Sequence, residues 1–154
     1  MLGSNYSEVL QSLMQQVRWS IQLPPHMERF FQESGPVATL PGDERRAARL
    51  MVRTRCILIP ESPLPAFPRS AEPAAVYTSD LSRNGLGFIA PQQYYPEEEI
   101  RLILPTMWLR GSIARSRRLG PHCFQIGARL LSKHEPSLEA FSVLDELLAT
   151  SVAS

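Results

Sequence analysis

Residues 74–90 read AAVYTSDLSRNGLGFIA. Two short runs of β-forming and apolar residues, 74–78 and 86–90, flank the turn formers Ser82-Arg83-Asn84-Gly85. Serine and asparagine bond to nearby backbone, and glycine reaches positive φ without strain. The segment therefore predicts two adjacent strands joined by a tight connection, with Gly85 in the left-handed region.

The same pattern extends in both directions. Upstream, residues 49–60 (RLMVRTRCILIP) alternate and are rich in branched residues, which predicts a strand. Between the two, residues 60–73 (PESPLPAFPRSAEP) carry five prolines and predict a loop or extended edge. Downstream, residues 99–104, 107–116 and 124–131 predict three further strands, linked by Pro105-Thr106 and by the turn at Gly120-Pro121. About six short, closely spaced strands suggest a small barrel or sandwich.

Both ends of the chain change period. Tyr6, Val9, Leu10, Leu13, Met14, Val17 and Ile21 recur at three- and four-residue steps, predicting a helix over 6–21 with one apolar face. Leu23-Pro24-Pro25 ends it, and residues 25–34, holding Phe30 and Phe31, predict a second short helix closed by Gly35. Residues 35–44 (GPVATLPGDE) read as a linker. A last helix is predicted over 136–149 through Leu138, Phe141 and Leu144 or Val143. The expected organisation is a helical extension (1–34), a linker (35–44) and a β domain with a C-terminal helix (45–150).

Bulk composition narrows the function. Lys+Arg number 16 against Asp+Glu 15, a formal net charge of +1. Domains that hold long nucleic acid electrostatically are far more basic, so that class is disfavoured. The one lysine is Lys133; every other base is arginine, the residue suited to bidentate phosphate contacts. Cys56 and Cys123 form no metal-binding spacing and read as two buried thiols in a reducing compartment. His26, His122 and His134 are scattered singly. Residues 1–6 show no secretory pattern and no apolar run is long enough to span a bilayer, so a soluble cytoplasmic protein without metal or cofactor is expected. No nucleophile–base pairing or pair of catalytic carboxylates appears by spacing, and no enzymatic activity is expected. A basic, aromatic RNA-binding stripe is also missing.

Two local patterns carry chemistry: Arg45-x-x-x-Arg49 at the approach to the first strand, and Asp80-x-Ser82-x-x-Gly85 in the turn. In this order, on an antiparallel β pattern, they resemble the PilZ family. The similarity extends over about residues 44–148, through Gly85-Leu86-Gly87-Phe88, Leu109-x-Gly111-x-Ile113 and Phe124-x-Ile126-Gly127-Ala128. The resemblance implies a mainly β fold: a six-stranded antiparallel barrel with a C-terminal helix, here following the N-terminal helical extension. It implies a receptor for cyclic di-GMP held by Arg45, Arg49, Asp80, Ser82 and Gly85, with Arg46 and Arg115 as secondary candidates. The four-residue arginine spacing is kept only from Arg45, and Glu44 precedes it.

The chemistry suits such a ligand. Guanidinium groups grip phosphates or meet guanine O6 and N7, and the Asp80 carboxylate accepts from guanine N1–H and N2–H. Ser82 can cap the turn or donate to a phosphate, and Gly85 allows backbone to approach the ligand closely. Arg53, Arg55 and Arg83 read as surface. A different function for the same fold is a degenerate module that binds an unknown protein partner and no nucleotide. The apolar stripe of residues 1–34 calls for burial, first against a second copy in a homo-oligomer, next against the chain's own barrel, and otherwise against a different protein.

Overall fold

The computed structural model describes residues 2–32, 35–36, 50–62 and 72–143. Helix α1 spans Leu2–Gln16. The strands are β1 (Gly35–Pro36), β2 (Leu50–Met51), β3 (Arg55–Ser62), β4 (Ala74–Leu81), β5 (Gly85–Ala90), β6 (Glu99–Ile103), β7 (Trp108–Gly120) and β8 (Cys123–His134). All pairings are antiparallel. β3 lies between β4 and β6, β7 joins β6 to β8, and β5 joins β8 back to β4, which closes a six-stranded barrel. Closure removes the unpaired edges that an open sheet of this size would present.

The lumen is filled by alternate residues of every strand, among them Leu58, Val76, Phe88, Leu102, Leu109 and Ile126. The outer face of a small barrel would normally be wet, yet two outer patches are apolar too, and the N-terminal segment covers both. Tyr6 and Leu10 of α1 pack on Ile57, Ile59, Ile103 and Trp108, with Ala140 and Phe141 from the C-terminal end. Trp19, Ile21, Leu23, Met27 and Phe30 pack over Tyr77, Ile89 and Cys123. The stripe of α1 is thus buried by the chain's own barrel, one of the three arrangements that the sequence allows, rather than the self-association placed first.

Tyr6 fixes this docking with a polar contact. Its hydroxyl is shared between the carbonyl oxygens of Leu104 and Met107, the latter at 2.9 Å. Tyr6→Phe is expected to lower stability by about 1–2 kcal/mol, because the buried Leu104 carbonyl loses its Tyr6 donor, while the Met107 carbonyl keeps the Leu104 N–H at 2.9 Å. Urea unfolding would measure this, and an unchanged midpoint would show that the hydroxyl contributes nothing.

Several predicted elements are corrected. The first helix stops at Gln16 rather than residue 21, because Trp19 leaves the helical path to stack on Tyr77 at 6.0 Å. Its indole N–H donates to the Met14 carbonyl at 2.9 Å and closes the helix end. In place of a helix over 25–34 there are two 3-10 turns, Pro25–Met27 and Phe30–Gln32. A regular helix would not let neighbouring Phe30 and Phe31 both engage Tyr77, as they do at ring separations of 6.2 and 4.7 Å. The strand predicted over 49–60 is split into β2 and β3. Of the linker at 35–44, residues 35–36 form β1 and pair with β2; the remainder lies outside the described residues. At the C-terminal end a 3-10 turn, Leu138–Phe141, stands within the predicted helix, whose residues 144–149 lie outside the described residues.

Both cysteines are unbridged and buried, and burial pushes both thiols up, away from the reactive thiolate. On the barrel wall away from the β4–β5 hairpin, Glu61 accepts from Arg110 at 2.7 Å and from Arg101 at 3.1 Å. Arg101 also donates to the carbonyls of Glu139 and Ala140 and to Ser142 Oγ, tying the C-terminal turn to the barrel. No described helix is long and apolar enough to cross a membrane.

Candidate functional site

The turn of residues 82–85 is built by its own serine. Ser82 N donates to the Gly85 carbonyl at 2.9 Å, and Gly85 N donates to Ser82 Oγ at 3.1 Å. Leu130 N donates to the Asn84 carbonyl at 3.0 Å and anchors the turn to β8. Ser82 is therefore committed to holding the turn. Gly85 is extended rather than left-handed, and a Cβ there would make ordinary contacts, 3.5 Å to Ala128 O and 3.6 Å to Ser82 Oγ. The positive φ predicted for it is corrected: the turn closes through the serine side chain, so the backbone need not invert.

Strict alternation would send both Asp80 and Arg115 into the lumen. Val76 and Thr78 share the phase of Asp80, and Ile113 shares that of Arg115; Val76 and Ile113 are lumen residues. Two register shifts reverse this. Between Thr78–Phe88 and Asp80–Gly87, β4 gains one residue on β5. Between Ile113–Ala128 and Arg115–Gly127, β7 gains one residue on β8. A one-residue insertion moves the residues beyond it to the other face. Asp80 and Arg115 are thereby turned outward on the same row, which runs Met51, Asp80, Gly87, Gly127, Arg115 across five strands.

The two glycines of that row have no side chain, and the residues flanking them lean over the gap. A Cβ on Gly87 would overlap Asp80 Oδ1, and one on Gly127 would lie 2.8 Å from Arg115 Nε. These glycines meet the requirement for close approach that the sequence places at Gly85. The signal was present, since glycine inside a strand marks a bulge or a close approach, but it does not say on which face. The result is a cleft of about 610 Å³ whose floor has no side chain of its own at Gly87 and Gly127 and is overlain there by Asp80 and Arg115. Asp80 stands on one side of it, with Arg115, Arg117 and Arg129 on the other, beside Gln125. The sequence does not single out Arg129, whereas Arg117 belongs with Arg115 and Arg118 to the arginines at the fifth predicted strand from which one ligand contact is a candidate.

Arg45, Arg46 and Arg49 lie outside the described residues. Leu50, immediately after them, pairs with Leu81, one position before Ser82. Arg53 reads from sequence as surface but is structural: it donates to the carbonyls of Ser79 and Phe30 at 3.4 Å and lies 4.5 Å over the Phe30 ring. It joins the N-terminal segment to β4 one residue from Asp80. Likewise Arg55 lies 5.4 Å over Trp19.

Searches of curated proteins and of solved structures return no match. A family model described as the PilZ domain matches residues 43–144, most of the chain and the whole of the closed barrel. With its six-stranded antiparallel barrel and the hairpin of residues 74–90 at the cleft, this chain belongs to the PilZ domain family.

Proposed function

We propose that the protein is a cytoplasmic, non-catalytic receptor for cyclic di-GMP, which it holds in the cleft over Gly87 and Gly127. The observation that carries this reading is the outward row Asp80–Gly87–Gly127–Arg115: a carboxylate and a guanidinium lie over two neighbouring glycines, where no other side chain of the row intervenes. A guanine base laid on that floor presents N1–H and N2–H to Asp80, the donor edge that adenine lacks, and its phosphate falls to arginine. Arg45 and Arg49 supply further phosphate contacts, with Arg46 beside them. Leu50, which follows them in sequence, pairs with Leu81, next to the turn held by Ser82 and Gly85.

The signal is relayed through the N-terminal segment. Tyr77 and Ile89, which Phe30 and its neighbours cover, pair with each other one outward row from Asp80 and Gly87, and Arg53 ties the two together. A ligand that moves β4 or the segment before β2 shifts this packing and exposes apolar surface to a partner protein. A homo-oligomer formed through α1 would require its stripe to leave Ile57, Ile59 and Ile103.

Calorimetric titration of the purified chain with cyclic di-GMP tests the proposal. Micromolar or tighter binding is expected, and Arg49→Ala should weaken it by about 1.5–3 kcal/mol, the size of one charge-assisted hydrogen bond. No heat at high ligand concentration, in folded protein, would leave the degenerate protein-binding module as the surviving function.

A further inference from the structure

We propose that Arg115, Arg117 and Arg129 form a second phosphate subsite on the barrel wall, distinct from the arginines of residues 45–49. The inference rests on the receptor reading and adds to it the ligand group that this side of the cleft takes.

The register places the three side chains on consecutive outward rows. Arg129 shares a row with Gly85, Arg115 with Gly87 and Gly127, and Arg117 with Gln125 and Ile89. Outward rows are roughly 7 Å apart along a strand, so the backbones of the three arginines span an arc of about 14 Å on the neighbouring strands β7 and β8, a distance that long arginine side chains can close around one phosphate. The Arg115 side chain already lies over Gly127, toward the cleft.

Charge balance separates this arc from ordinary surface arginine. On the other side of the barrel, β6 and β7 also bring two arginines together, Arg101 and Arg110, and Glu61 neutralises both. Around the cleft, none of the three arginines has an ion-pair partner among the described residues, and the one carboxylate lining it, Asp80, stands on the opposite side. With Asp80 the one carboxylate against three guanidiniums among the described lining residues, the cations repel one another, and a bound anion relieves that repulsion. Planar guanidinium forks match the oxygens of a phosphate. A cleft of about 610 Å³ limits the anion to a small molecule. Cyclic di-GMP carries two phosphates, and the arc takes one of them.

The test is titration of the full chain with cyclic di-GMP at several salt concentrations. The double substitution Arg117→Ala with Arg129→Ala is compared with Arg118→Ala, which removes charge from the same strand without lining the cleft. The double variant is expected to bind roughly tenfold to a hundredfold more weakly, with a flatter dependence on salt, because fewer charges are screened. Arg118→Ala should bind as the unaltered chain does. Melting curves show whether each variant is folded, and Arg117→Lys with Arg129→Lys should recover part of the affinity. If the unaltered chain binds and the double variant matches it in affinity and salt dependence, the subsite is overturned while the receptor reading stands. Equal weakening by Arg118→Ala would reduce the effect to bulk charge and overturn it as well. If the unaltered chain does not bind, the receptor reading itself falls, and the subsite with it.

Discussion

Gly87→Ala is expected to weaken cyclic di-GMP binding by about 3 kcal/mol, roughly a hundredfold, and to match Asp80→Ala in doing so. The added methyl occupies the position of Asp80 Oδ1. The carboxylate must swing off the floor, and it then no longer meets the two N–H donors of guanine. Each charge-assisted hydrogen bond contributes about 1.5–3 kcal/mol, and the displaced group loses both. Folding should be little affected, since Gly87 is not in the left-handed region and alanine is better tolerated than glycine within a strand. Both variants should also narrow the preference for cyclic di-GMP over its adenine analogue. Calorimetry with the two cyclic dinucleotides, alongside melting curves, measures all of this. Binding of Gly87→Ala at the original affinity would mean that the ligand does not use the floor between Asp80 and Arg115.

The second large effect is on stability. Glu61→Ala should lower it by about 2–3 kcal/mol. The carboxylate is 14% exposed and serves two guanidiniums, of which Arg101 is 11% exposed and Arg110 34%. Removing the shared anion leaves Arg101 charged and largely buried, a change that costs about 3–5 kcal/mol for a fully buried pair. Partial exposure of Arg110 reduces the figure here. Part of the loss should appear at the C-terminal turn, which Arg101 holds through Glu139, Ala140 and Ser142. Urea unfolding of the variant beside the unaltered chain measures the difference, and an unchanged midpoint would show that solvent already satisfies both arginines.

The same network sets an acid limit. Burial alone would raise the Glu61 carboxyl, but hydrogen bonds from Arg110 and Arg101, with their charges, outweigh it and hold the group below the usual carboxylate range. A depressed folded value contributes stability that is complete above the unfolded value, about 4.3, and disappears as pH falls through the folded one. The melting temperature should therefore drop below about pH 4, and Glu61→Gln should flatten that part of the profile. An unaltered profile in Glu61→Gln would assign the acid limit to other carboxylates.

The N-terminal segment shows how far periodicity reaches. Tyr6, Val9, Leu10, Leu13 and Met14 share a face in the sequence and in the structure. Spacing alone does not name the surface they cover. A barrel hides its lumen from the chain outside it, so a partner for α1 on the outer face requires apolar residues at outward positions. Ile57, Ile59 and Ile103 occupy such positions, and in sequence they merge with the lumen residues Leu58 and Leu102 into continuous apolar runs. Such a run predicts a strand buried on both faces without saying what lies on each.

Local chemistry determined what each segment could become. Branched and aromatic runs between prolines and glycines made strands, serine and asparagine made the turn at 82–85, and the paired motifs marked the family. Aspartate, arginine and strand glycines were legible as the ingredients of a site. Their meeting was not. Asp80 and Arg115 stand in phase with lumen residues, and only the two register shifts, one in β4 against β5 and one in β7 against β8, turn them outward onto one row. A register is a relation between strands far apart in the chain, set when the lumen packs and the barrel closes. No property of either strand taken alone specifies it.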